Sequence, residues 1–244
     1  MAAFFIPLAA HSPIHNYLFF IFYSPLPHWN KTVIQYILIV PILNRDLFAA
    51  NSIPKMRQQM DCKRQYTQFS ACGLNCGLCP RFHNYGRARC PGCGGENFLE
   101  RHPQCEALSC ALEHGVEFCC FCDEYPCEKH NGQKIEMFIT QRNTRKDLEK
   151  FKTAGMEAYH RELEEKMNIL RVLLKDYNDG KRSIFYCLAV NLLDPEDLKN
   201  VMKKIETEVK LDGNLNITGK AMVAVNLFEA AAREKHIRLK LLKK

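Results

Sequence analysis

Eleven of the thirteen cysteines in this 244-residue chain lie between Cys72 and Cys127, and their spacing limits what the segment can become more than any other feature. They read as CGLNCGLCP (Cys72, Cys76, Cys79), CPGC (Cys90, Cys93), a looser pair (Cys105, Cys110) and FCCFCDEYPC (Cys119, Cys120, Cys122, Cys127). A Cys-x-x-Cys turn points both sulfurs to one side, within reach of a single tetrahedral cation. Such pairs, and the adjacent Cys119 and Cys120, are poorly placed for structural disulfides. Thiolate ligation of a metal suits a reducing compartment, so the expected location is the cytoplasm.

The same segment has few other means of folding. Its large apolar residues are sparse (Leu74, Leu78, Phe82, Phe98, Leu99, Leu108, Leu112, Phe118, Phe121), and a core that small does not offset chain entropy. Glycines and prolines such as Gly73, Gly77, Gly92, Pro80, Pro91 and Pro126 punctuate it into turns that can present sulfur to a cation. Metal is then the staple. Structural zinc supplies about 10–16 kcal/mol of apparent binding energy in small peptides.

The run CGLNCGLCPRF, then CPGCGG, a later cysteine pair and FCCFCDEYPCE resembles the domain-of-unknown-function 3795 family of prokaryotic proteins, whose cysteine-rich domain is expected to bind zinc. The likeness covers about residues 66 to 135, and EYPCE, Glu124 to Glu128, is its most distinctive piece. It implies as metal ligands Cys72, Cys76, Cys79, Cys90, Cys93, Cys105, Cys110, Cys119, Cys122 and Cys127; Cys62 and Cys120 fall outside the pattern. It implies no reaction. Ten thiolates fill two zinc sites of four with two left over, so about two zinc ions are expected. His83, His102, His114 or His130 could each replace a sulfur, although a loop histidine is usually just solvated. Spacing leaves open which cysteines share a metal, interleaved or sequential.

Iron is the alternative. Cys72-x3-Cys76-x2-Cys79 has the spacing by which radical S-adenosylmethionine enzymes hold a [4Fe–4S] cluster. Leu78 stands where an aromatic residue is usual, and no alternating strands and helices follow. A non-radical iron–sulfur cluster is therefore the stronger iron reading, since thiolates suit iron as well as zinc.

Outside the cysteines, 47% hydrophobic and 25% charged residues describe a globular chain, and a net charge of +7 is weak evidence for an acidic partner. Residues 1–60 form an apolar extension broken by Pro7, Pro13, Pro25, Pro27 and Pro41. No apolar run there reaches the roughly 20 residues of a membrane span, and a signal peptide's basic n-region is missing. These residues are read as lying upstream of the true start, Met56 or Met60; the alternative is a peripheral anchor built from Tyr17 to Tyr23 and Val33 to Leu43. Residues 61–134 are the expected cysteine-rich zinc-binding domain.

Residues 135–244 change to a helical period. Thr144-x-x-Asp147 reads as a capping box. A stripe of Met156, Tyr159, Leu163, Met167, Leu170, Leu174 and Tyr177 follows, its opposite face carrying Glu162, Glu164, Glu165, Lys166 and Arg171 as a solvated surface. Ser183 to Leu193 is apolar nearly all round and reads as a central buried helix, with Cys187 a small hydrophobe in it. Asp194-Pro195 starts the next helix. Thr218 is the expected cap of a last helix running from Gly219 to Leu242 with a basic end. The fold class is mainly α: a loop-rich, metal-stabilised cysteine domain followed by an antiparallel bundle of four or five helices. No catalytic constellation stands out. Three functions follow: a zinc-binding interaction or scaffolding module, an iron–sulfur redox or radical protein, and a nucleic-acid binder using the basic tail. An unidentified protein is the other partner class.

Overall fold

The apolar stripes between residues 144 and 234 each become the buried side of a helix, whereas the helical period that begins at Phe138 and Ile139 forms none, residues 136–143 running as bends and turns. A computed structural model describes residues 64–243 apart from 85, 103–104 and 131–135; the expectations for residues 1–60, Cys62 and the His130 side chain fall outside that description. In chain order the helices are α1 (Phe98–Arg101), α2 (Glu106–Glu113), α3 (Thr144–Ala154), α4 (Met156–Asp176), α5 (Ser183–Leu192), α6 (Pro195–Asp212) and α7 (Ile217–Glu234). No strand occurs among the described residues, and none of their helices is long and apolar enough to cross a membrane. The mainly α fold is as read from the sequence.

α4 buries Tyr159, Leu163, Met167, Leu170 and Leu173, a three-to-four-residue recurrence that lines one face for about four turns. α5 buries six consecutive residues, Tyr186 to Asn191, because α4, α7 and the turns around Cys76 and Pro80 pack on it from several sides. Pro195 stands in the first turn of α6, where its missing N–H costs nothing, and Gly213 ends that helix in the left-handed region at φ 65°.

Four local readings change in three dimensions. Asp147 does not reach back to cap α3; its carboxylate is buried and accepts a hydrogen bond from Asn75 Nδ2 at 2.8 Å. Lys166 is buried at 8% exposure instead of joining the solvated face of α4. Asn216, not Thr218, caps α7, its Oδ1 accepting from Gly219 N at 2.9 Å. α7 stops at Glu234: His236 turns the chain at φ 55°, and residues 237–243 run on as a non-helical strap. That strap is pinned where Leu242 N donates to Glu136 Oε2 at 2.8 Å and where Arg142 donates to the Arg238 and Lys240 carbonyls.

The cysteine segment does not fold around its own few apolar residues alone. Phe69, Leu78, Phe118 and Cys120 join one continuous core with Leu148 and Phe151 of α3, Tyr159, Leu163 and Met167 of α4, and α5 and α6 beyond. Leu78 is fully buried and Phe118 is 2% exposed, and burial of each such side chain stabilises by about 1.5–3 kcal/mol. A small second core of Cys93, Phe98 and Leu108 lies under the cysteine loops. The described residues form one compact unit.

Candidate metal centre

The cysteines are presented by tight turns held by backbone bonds. In the first, Leu78 N, Cys79 N and Phe82 N donate to the Asn75, Cys76 and Cys79 carbonyls at 2.8, 3.1 and 3.0 Å. In the second, Phe121 N, Cys122 N and Tyr125 N donate to the Phe118, Cys119 and Cys122 carbonyls at 3.0, 3.0 and 3.1 Å. The two turns share one register: Cys-x-x-Cys, then an aromatic residue three positions on, Phe82 or Tyr125, packed against the main core. Cys90 and Cys93 flank a third turn that needs Gly92, whose φ is 86° and where a Cβ would stand 2.3 Å from the Thr67 carbonyl oxygen. Gly77 answers a close approach: a Cβ there would meet Met167 Sδ of α4 at 2.5 Å.

The thiols gather in two neighbourhoods. Cys76, Cys90 and Cys105 pack against the small core that contains Cys93. Cys72 lies between the two: Cys119 N donates to the Ala71 carbonyl at 2.8 Å and Gly77 N to the Gln68 carbonyl at 2.9 Å, and Cys72 adds to the repulsion on Cys76, Cys93 and Cys119 alike. α2 reaches both: Cys105 precedes its first turn, while Cys110 lies 3.7 Å from His114 Nδ1, whose Nε2 is 3.7 Å from Glu124 in the Cys122–Cys127 loop. Arg64, only 6% exposed, ties the loops together, its N–H donating to Gly94 O and its guanidinium to Phe69 O and Glu117 O.

Burial and the neighbouring thiols hold Cys76, Cys93 and Cys119 protonated. Burial first, then Cys93, Cys72, Cys79 and Cys90, push the Cys76 thiol well up. Burial, then Cys72, Cys127 and Cys110, push Cys119 up to about 12. Cys93 is raised to about 11, chiefly by burial. A bound cation removes both penalties, because it favours the thiolates that each neighbour otherwise disfavours. The donor set therefore fits zinc or iron in chemistry. Among the described residues, no three His, Cys, Asp or Glu side chains are grouped closely enough to hold a metal ion.

The remaining candidates sort by surroundings. His83 Nε2 lies 2.7 Å from the Gly77 carbonyl, and burial lowers its pKa. His102 stacks on Phe98 at 4.5 Å, and His114 Nδ1 lies 2.8 Å from the Cys110 carbonyl. Cys120 is 2% exposed in the main core and is raised to about 11 by burial; Cys187 is 3% exposed, and its thiol is likewise raised. Both sit as small buried hydrophobes.

One group next to the cysteines has no local sequence signature. Asn75, between Cys72 and Cys76, is 4% exposed. Its Nδ2 donates to Asp147 Oδ2 and to Asn191 Oδ1 at 3.2 Å, and its Oδ1 accepts from Tyr159 Oη at 2.9 Å. Lys166 Nζ donates to the Asn191 carbonyl at 3.4 Å, completing a buried polar cluster that joins the first cysteine turn to α3, α4 and α5. Burial raises Asp147 to about 6 despite the nearby Lys166.

Fold and site together define a helical protein carrying a turn-built, thiol-rich cap sewn to its bundle by that cluster. Residues 68–132 match the family described as "Protein of unknown function (DUF3795)", which bears out the resemblance seen in the cysteine pattern. No curated protein and no solved structure matches the chain.

Proposed function

We propose that the chain is a cytoplasmic zinc-binding protein whose cysteine cap holds about two structural zinc ions and serves binding or scaffolding, not catalysis. The observation that carries this reading is the pair of Cys-x-x-Cys turns in identical register, each carrying one thiol, Cys76 or Cys119, that burial and neighbouring thiols push up. Sites ligated entirely by protein thiolates are closed structural sites, whereas catalytic zinc keeps one position open for water or substrate. Ten pattern cysteines leave no shortage of protein ligands for two metals. Elemental analysis of the anaerobically purified full chain is expected to return about two zinc per chain and a colourless protein. A brown protein with stoichiometric iron and sulfide would replace zinc by an iron–sulfur cluster. A chain with neither metal would end both readings.

A further inference from the structure

We propose that the groove between the end of α7 and the strap that follows it docks an extended, acidic peptide segment of a partner protein, which pairs with the strap as an added strand. None of the described cysteines lines this groove. The proposal therefore stands apart from the zinc reading, and it gives the binding role in that reading a class of partner.

The strap's backbone is bound along one edge only. Exposure alternates from Ile237 to Lys240, where the chain bends: Ile237 and Leu239 pack against the main core, while Arg238 and Lys240 are exposed. That is the two-residue period of extended chain. Arg142 donates to the Arg238 carbonyl at 2.8 Å and to the Lys240 carbonyl at 3.1 Å. Glu136 N donates to the Leu242 carbonyl at 3.0 Å, and Leu242 N donates to the Glu136 carboxylate. The backbone of residues 238, 240 and 242 thus faces residues 136–142. Extended chain sends the N–H and C=O of successive residues to opposite edges, so those of Leu239 point away from Arg142, toward the groove that Leu239 lines. Among the described residues neither group has a hydrogen-bond partner. Such an edge accepts a second strand through main-chain bonds, and alternate side chains supply the selectivity.

Shape and charge select the occupant. The groove measures about 260 Å³, below the roughly 300–1,000 Å³ of pockets that enclose a drug-sized ligand, so it suits a length of chain laid along it. Its floor is apolar, made by Ala232, Ile237 and Leu239, and its rim carries Arg233, Arg238 and Lys240 against Glu229 alone. Glu229 lies 3.8 Å from Arg233, and Arg238 and Lys240 form no side-chain ion pair among the described residues. Carboxylates at alternate positions of a paired strand meet these two cations as cross-strand neighbours, and the apolar side chains between them settle on the floor. No aromatic ring lines the groove to stack a base, which favours an acidic peptide over single-stranded nucleic acid.

Fluorescence anisotropy of the full chain with a short labelled peptide alternating aspartate and leucine tests the proposal. The peptide is expected to bind at low salt. Arg238→Glu/Lys240→Glu should weaken binding by about tenfold, because two cross-strand attractions become repulsions, with helical circular dichroism unchanged. The same peptide N-methylated along its backbone should bind weakly to the wild-type chain, and the Leu239 amide should exchange more slowly when the unmethylated peptide is bound. Absence of binding, indifference to the charge reversal in a folded variant, equal affinity for the N-methylated peptide, or an unprotected Leu239 amide each overturns the proposal. Tighter binding of a single-stranded oligonucleotide of equal charge also overturns it and marks the patch as a nucleic-acid surface. A chain that holds no metal yet binds the peptide ends the zinc reading and leaves this one standing.

Discussion

Replacing Asn75 by alanine removes the amide at which the first cysteine turn, α3, α4 and α5 meet. Three hydrogen bonds disappear together: those to Asp147 Oδ2 and Asn191 Oδ1, and the one accepted from Tyr159 Oη. The three partners are all buried: Asp147 is 9% exposed, Asn191 2% and Tyr159 4%, so water cannot readily replace the lost amide. Leaving a buried polar group without a partner costs about 1–3 kcal/mol. Asp147 keeps the attraction of Lys166, so the full penalty falls on Tyr159 Oη and Asn191 Oδ1, and the expected loss is about 3–5 kcal/mol. Against a total stability of about 5–15 kcal/mol for a domain, that is a large fraction. The assay is denaturant unfolding followed by helical circular dichroism, at equal zinc content for both proteins. Tyr159→Phe alone should cost about 1 kcal/mol, because it removes one bond and buries a ring of the same shape. The two changes together should cost less than their sum, since they share that bond. A loss below about 1 kcal/mol for Asn75→Ala, or strict additivity with Tyr159→Phe, would refute the claim that this amide sews the cap to the bundle.

Asp147 has a folded pKa of about 6 against an ordinary 3.8 because burial disfavours its charge. The folded state therefore holds the proton more tightly, and the stability this group contributes is full below pH 3.8 and lost as pH rises through about 6. The stability of the wild-type chain relative to Asp147→Asn should accordingly fall by about 3 kcal/mol between pH 4 and pH 7, and a flat difference would contradict the burial argument. Cys120→Ala should leave zinc content unchanged and cost about 1 kcal/mol as a small core truncation, whereas Cys119→Ser one residue earlier should lose an ion; equal metal loss in both would place Cys120 among the ligands. Burial pushes the Glu136 carboxyl up, but donors from Thr140, Leu242 and Gln141 and the nearby Arg142 charge outweigh it and hold the pKa below the usual range. Its contribution is present above the unfolded pKa and lost as pH falls through the lowered one. Glu136→Gln should weaken the strap by about 1–3 kcal/mol, read as faster amide exchange of residues 237–243 with the helices unchanged.

Much of this molecule is legible along the chain because its signals are local. A Cys-x-x-Cys turn needs only a few consecutive residues to aim two sulfurs together, so the candidate ligands can be named without a structure. Helical stripes are local too, and the burial of Tyr186 to Asn191 follows from a segment, Ser183 to Leu193, with almost no polar face to offer water. The Asp194-Pro195 start likewise needs no partner beyond its own turn.

What tertiary structure alone decided are the contacts between distant residues. Thr144-x-x-Asp147 has the form of a capping box, but Asn75, 72 positions away, offers Asp147 a buried donor instead. Lys166 has the sequence context of a surface lysine and becomes internal because it faces Asp147 and the Asn191 carbonyl. The last helix could run to Leu242 on its apolar period, yet the chain turns at His236 and its backbone is bound by Glu136 and Arg142 instead. Leu78 and Phe118 look too few to make a core, and they become sufficient only because α3 and α4 supply the other half. A one-dimensional pattern specifies which groups seek burial or a cation; which partner each one finds depends on chain crossings that no local period encodes.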